Sequence, residues 1–137
     1  MGATFEVRAF LDTNVLIRHL TGEPPEQARR ASAFLATADR LLLPDLIVAE
    51  VVYVLESVYG VGRQRIADLV RTVVGFPAVA VFDGLLLARA LELYETVGID
   101  FADAYLVACA EVSGVGSVAS FDRAIDKVAS VERVEPA

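Results

Sequence analysis

Phe5-Glu6-Val7-Arg8-Ala9-Phe10-Leu11-Asp12-Thr13-Asn14-Val15-Leu16-Ile17 is the stretch whose reading decides the fold. Up to Leu11 it reads as a buried strand, interrupted by polar residues near its start. The strand stops at three small polar side chains. Asp12, Thr13 and Asn14 are the residue types that cap helices, because their oxygens accept from the free N–H groups of a first turn. A helix over residues 15–20 follows, and Gly22, Pro24 and Pro25 break it. A short apolar strand running straight into a capped helix is the unit from which parallel α/β sheets are built.

Working outward, the same grammar repeats. Residues 26–38 have helical spacing, with Ala28, Ala31, Phe34 and Leu35 on one face. Leu41-Leu42-Leu43 is a second buried strand ending at Pro44. Asp45 is the expected cap of a helix over residues 46–59, closed by Gly60. Gly62 and Arg63 open a helix to about Val74, and residues 79–82 form a third strand. Helices over 85–97 and 101–112 stop at Gly98 and at Ser113-Gly114. A fourth strand at 117–120, one or two helical turns at 122–128 and a last strand at 131–134 complete the chain. The expected fold is a single α/β domain over residues 1–137, with a mainly parallel central sheet of four to five strands between helical layers. No internal repeat, low-complexity tract or linker interrupts it.

Composition narrows the function. The chain is 55% hydrophobic, which excludes disorder, yet no apolar run reaches the roughly 18 residues of a membrane span. No secretory signal is visible, and Glu6 stands where a myristoylation motif after Met1-Gly2 needs Ser or Thr. Cys109, the only cysteine, lies in an apolar helical pattern and reads as a core thiol. These features point to the cytoplasm. A net charge of −7 argues against a simple DNA-binding domain. Eleven of the twelve basic residues are arginine, which suits bidentate phosphate contacts, although a skewed genomic base composition explains the same bias.

Four acids stand at the junctions of the expected elements. Asp12 and Asp122 directly follow strands, Asp103 lies in the first turn of a helix, and Glu50 sits mid-helix among Ile47, Val51, Val54 and Val58. In parallel sheets the site lies beyond the carboxyl ends of the strands, and Asp12, Asp103 and Asp122 are expected to converge there. Each also has a structural explanation. Asp12 and Asp122 can cap helices, Asp103 suits the positive end of a helix dipole, and Glu50 can be a buried carboxylate met by an arginine or an amide. Thr13 or Asn14 can cap the first helix in place of Asp12, and Asp100 is the better cap beside Asp103. Converging carboxylates repel one another, and a divalent cation neutralises them. Oxygen-only donors favour Mg²⁺ or Mn²⁺, and phosphodiester hydrolysis is the natural chemistry.

Other constellations are weak. His19 is the only histidine, so a multi-histidine zinc site is excluded. Gly60-Val61-Gly62 and Gly114-Val115-Gly116 lack the rest of a nucleotide-binding fingerprint and read as turns. A phosphoacceptor receiver domain needs an acidic pair after the first strand, which is absent, although Asp83 and Lys127 sit where such a domain places its later residues.

Four segments carry a resemblance: residues 10–18, with Asp12, Thr13 and Asn14; residues 50–55, beginning at Glu50; Asp100-Phe101-Ala102-Asp103-Ala104; and Ser120-Phe121-Asp122-Arg123. In order and spacing they resemble the PIN-domain nucleases, specifically VapC-type toxins of bacterial toxin–antitoxin modules. The resemblance runs from about residue 7 to residue 135. It implies an α/β/α PIN fold and a cluster of Asp12, Glu50, Asp103 and Asp122 holding Mg²⁺ or Mn²⁺. Asp12 and Asp103 are then direct ligands, Glu50 holds metal or orients water, and Asp122 completes the site. Asn14 and Ser120 are supporting residues; Ser120 stands where threonine is commoner and keeps the hydroxyl.

The same resemblance implies cleavage of single-stranded RNA by metal-activated water, a homodimer, and a cognate antitoxin whose tail lies beside the site. Residues 31–35 and 51–59 are candidate partner contacts, with burial in the domain's own core as the alternative. Arg18, Arg29, Arg30 and Arg123 are candidate RNA guides. A non-catalytic PIN-fold binding module and a solitary RNA-processing nuclease are the competing functions.

Overall fold

The computed structural model describes residues 8–137. The Met1-Gly2 terminus, Glu6 and the first residues of the expected opening strand lie outside the described residues. The chain forms two compact units, one ending at Phe82 and one spanning Asp83–Ala137.

The first unit holds β1 (Arg8–Phe10), α1 (Thr13–Thr21), α2 (Pro25–Thr37), β2 (Arg40–Leu43), α3 (Asp45–Ser57), α4 (Arg63–Val74) and β3 (Val79–Val81). Its strands pair in parallel in the order β1-β2-β3, with Phe10 opposite Leu42 and Leu42 opposite Ala80. Two right-handed crossovers stepping the same way put both helix pairs on one face of this sheet. Burial follows from that: Leu41 and Leu43, alternate residues of β2, are 0% and 1% exposed. Leu42 between them is half-buried and its neighbour Phe10 is exposed. Phe10 stacks with Phe82 at 6.5 Å between ring centroids.

The helices form because their apolar residues recur at helical spacing. In α4 these are Ile66, Ala67, Val70 and Val73, all buried. In α3 they are Val48, Val51, Val52 and Leu55. Gly22 ends α1 in the left-handed region (φ 74°), where a side chain would be strained, and its N–H reaches the Arg18 carbonyl at 2.9 Å. The expected cap Asp45 is displaced by one residue. Pro44 occupies the cap position with its fixed extended-side φ, and Asp45 becomes the first residue of α3.

The second unit holds α5 (Gly84–Thr96), α6 (Phe101–Ser113), β4 (Ser117–Ala119), a 3₁₀ helix (Arg123–Lys127) and β5 (Glu132–Val134). Small buried residues, Ala90 on α5 and Ala104 and Ala108 on α6, let the two helices approach closely. The Tyr94 ring meets Phe101 edge-on at 6.0 Å. Across the helix pair, the Arg89 guanidinium donates to both carboxylate oxygens of Glu111 at 2.7 and 2.9 Å, and the Ser130 hydroxyl donates to the same carboxylate. That bidentate pair holds the Glu111 carboxyl below its ordinary range.

The α/β class with parallel strands is as expected, and the expected elements all appear within a few residues of their limits. The strand arrangement differs. Among the described residues the first unit's sheet has three parallel strands, fewer than the four to five expected, and the second unit holds a parallel pair, β4 with β5. Strands of three or four residues offer few ladder bonds. Along one edge β4 pairs with β5, where Val118 stands opposite Arg133.

Candidate active site

Asp12 occupies the cap position of α1 with extended backbone (φ −91°, ψ 154°), but its carboxylate makes no capping bond. The side chain is exposed, so its charge is committed neither to the helix nor to the core. Thr13, the first residue of α1, turns instead toward α3, and its hydroxyl donates to Glu50 Oε2 at 2.5 Å. Packing of α1 on α3 therefore sets a hydroxyl and a carboxylate against each other just beyond the carboxyl end of β1. Asn14 is exposed on the same first turn.

Of the two directions its neighbours allow Glu50, inward or toward the rim, the structure excludes the first. It is exposed, because the buried stripe of α3 runs through Val48, Val51, Val52 and Leu55, and Val58 lies past the helix end at 70% exposure. Among the described residues no arginine or backbone amide meets it. Thr13 is its hydrogen-bond partner.

In the second unit the Asp103 carboxyl lies near those of Asp122 and Asp100, close enough for their charges to act on it. Partial burial, the Asp122 charge and the nearby Asp100 charge raise the Asp103 carboxyl above its ordinary value. Burial and neighbouring like charge both disfavour the ionised form of an acid. Asp103 lies in the first turn of α6, and Asp122 sits just after β4 at the start of the 3₁₀ helix. Asp122 also caps that helix, accepting from the Ala124 N–H at 2.9 Å. The same carboxylate therefore caps the helix and acts on Asp103. Ser120 supports it: the Asp122 N–H donates to the Ser120 hydroxyl at 2.9 Å, and Arg133 donates to the Ser120 carbonyl at 3.0 Å.

The structure thus gives Asp12, Thr13 and Glu50 in the first unit and Asp103 with Asp122 in the second. In neither unit, among the described residues, do three or more His, Cys, Asp or Glu side chains gather closely enough to hold a metal. Two participants went unnoticed in the sequence. Thr13 was read only as a cap, although a hydroxyl beside Asp12 was available to a neighbouring helix. Asp100 sits in the cap position of α6 but makes no side-chain cap bond, and its charge acts on Asp103. The i, i+3 spacing of Asp100 and Asp103 was the available signal.

The donor chemistry fits a hard divalent cation. Every acid named is an oxygen donor, and the Asp103–Asp122 pair carries like charge that such a cation relieves. Nothing in the set suits a softer metal: His19 is bonded to Ser32 through Nδ1 at 2.7 Å, and Cys109 lies on α6 in the helical interior pattern of Val107, Ala108 and Ala110.

Known proteins resemble the chain along most of its length. The PIN domain family model matches residues 9–131. A protein of Aquifex aeolicus (strain VF5) named VapC ribonuclease is 29% identical over 122 residues, which cover 86% of this chain and 90% of that protein. Among solved structures, the crystal structure of VapBC2 from Rickettsia felis bound to a DNA fragment from their promoter aligns over 94% of this chain and 98% of its own. It does so at 12% identity and a TM-score of 0.37. With a family match spanning both units, the chain belongs to the PIN-domain family.

Proposed function

We propose that the protein is a Mg²⁺- or Mn²⁺-dependent endoribonuclease that hydrolyses single-stranded RNA and acts as the toxin of a toxin–antitoxin pair. The observation that carries the reading is the placing of Asp103, in the first turn of α6, near Asp122, just after β4, so that the charge of one acts on the other. Family membership and the similarity to a protein named VapC ribonuclease support it.

Asp12 and Asp103 would be the direct metal ligands, with Glu50 and Asp122 completing the set. When bound, a divalent cation supplies Lewis-acid polarisation of a phosphate and lowers the pKa of water. The chain's own residues do the rest. Asp12 presents a carboxylate that no cap bond occupies. The Thr13 hydroxyl fixes one oxygen of Glu50, leaving the other to orient the attacking water or to take its proton. Ser120 pins the backbone at Asp122 and so fixes where that carboxylate stands. Asn14, exposed beside Thr13, is a donor for a phosphate oxygen.

The reading carries with it a cytoplasmic location, a homodimer and a cognate antitoxin. No helix among the described residues is long and apolar enough to cross a membrane. Of the candidate partner contacts, Ala31, Leu35, Val51, Val52 and Leu55 are buried in the first unit's own core. Tyr53 and Val58, about 70% exposed, are left for a partner.

The test is cleavage of single-stranded RNA by purified protein with Mg²⁺ or Mn²⁺, alongside calorimetry with Mn²⁺. Asp12→Asn and Asp103→Asn are expected to lose cleavage while keeping the circular dichroism of the parent. Retained cleavage in either variant, with contaminating nuclease excluded, sinks the mechanism. Mn²⁺ binding with no cleavage by the parent protein points to the non-catalytic module.

A further inference from the structure

The first turns of α1 and one face of α2 enclose a second feature. Asn14 and Arg18 stand one turn apart on α1, and Arg30, Ala31 and Phe34 recur at helical spacing on α2. Together they line an open groove of about 590 Å³. That is within the roughly 300–1,000 Å³ usual for ligand sites.

Its charge is opposite to that of the molecule. The chain carries −7 overall, yet both charged residues lining the groove are arginines. Arg18 is held by a neutral partner, donating from Nε to Gln27 Oε1 at 2.8 Å, so its guanidinium is oriented without being neutralised. Arg30 is exposed and makes no ion pair among the described residues. The other two arginines considered as RNA guides differ. Arg29 is paired with Glu26, and Arg123 belongs to the 3₁₀ helix of the second unit. The apolar wall is made by Ala31, buried, and Phe34, half-buried.

We infer that this groove is the track on which the substrate strand lies, with Arg18 and Arg30 gripping successive phosphates and the Phe34 ring stacking on a base. Guanidinium forks and aromatic faces are how proteins hold single strands, since every nucleotide offers a phosphate and a π-face. Asn14 ties the track to the site, because it lines the groove and follows Asp12 and Thr13 on the same turn. The inference rests on the ribonuclease reading and extends it from which bond is cut to where the flanking strand is held.

Fluorescence anisotropy of a labelled single-stranded RNA, measured in EDTA across a salt series, tests it without requiring cleavage. Each of Arg18→Gln and Arg30→Gln is expected to make the slope of log K against log salt shallower by roughly 0.7, and the double variant by roughly 1.4. Phe34→Leu keeps the apolar wall but removes the stacking face, and is expected to weaken binding about tenfold at unchanged slope. Circular dichroism controls for folding, and the exposed Arg30 provides a variant with little structural cost.

An unchanged slope in the double variant, or no RNA binding by the parent protein, overturns the track. So does a double variant that keeps RNA affinity but loses binding to an acidic peptide such as poly-glutamate, which assigns the groove to a protein partner. Cleavage assays with Mg²⁺ run beside these separate the two ideas. Cleavage that survives with unchanged slopes removes the track and leaves the nuclease. Shifted slopes without cleavage by the parent remove the nuclease and leave the track.

Discussion

The hydroxyl of Thr13 has a role that its position at a helix start concealed. It spends its proton on Glu50 across 37 residues of sequence, joining α1 to α3 where the strand has just ended. A bond to a charged acceptor contributes about 1.5–3 kcal/mol, and here that energy goes into fixing a carboxylate's direction. Thr13→Val keeps the shape and removes the donor. It is expected to lower kcat for RNA cleavage roughly tenfold with little change in KM, and Thr13→Ser is expected to restore most of the rate. Steady-state kinetics on one RNA substrate read both. An unchanged kcat in Thr13→Val means that Glu50 needs no such support. At Asp12 the sequence left cap and ligand both open, and the structure shows a cap position whose carboxylate makes no cap bond. Glu50 was left open between the core and the rim because valines and isoleucines surround it on nearly every side, so periodicity alone did not say which stripe was buried.

At the scale of elements, caps separate residues that look alike. Asp83 and Asp100 both precede helices in the same way, yet Asp83 accepts from the Leu86 N–H at 3.1 Å while Asp100 makes no such bond. Asp83→Ala is expected to cost about 1 kcal/mol, and Asp100→Ala to stay within about 0.5 kcal/mol, as read by urea denaturation. Equal losses at the two positions contradict the assignment. Helices were legible because Gly, Pro and Asp punctuate them and their apolar stripes recur regularly. The strands were placed correctly but their pairing was not, because a three-residue apolar segment such as Val79–Val81 carries no mark of its partner. Register and sheet membership are tertiary choices made by packing.

For the whole molecule, acid should unfold the protein in two stages with separable causes. His19 sits against Phe76 at 5.5 Å and Ser32, and burial lowers its pKa below 6.5. The unfolded chain therefore takes up its proton first. The stability owed to neutral His19 is complete above about pH 6.5 and is lost as pH falls through the lower folded value. Glu111, lowered beneath 4.5 by Arg89, behaves the same way further down: its contribution is full above that value and disappears as pH falls through its folded one. Urea midpoints at neutral pH, near pH 5.5 and near pH 4 are expected to fall stepwise. His19→Gln is expected to flatten the first step only. A first step that persists in that variant assigns it elsewhere.

Asp103 runs against this trend. Its carboxyl is raised, so folding becomes easier when it is neutral and harder when it is charged. The pair it forms with Asp122 is consequently a fault line in the metal-free protein. Erasing that fault, as Asp103→Asn does, is expected to raise the melting temperature in EDTA even as it abolishes cleavage. An unaltered or lower melting temperature would show that the two charges cost the fold nothing. A raised one would mean that selection for sturdiness alone discards this residue, and that the proposed metal site keeps it at the expense of endurance.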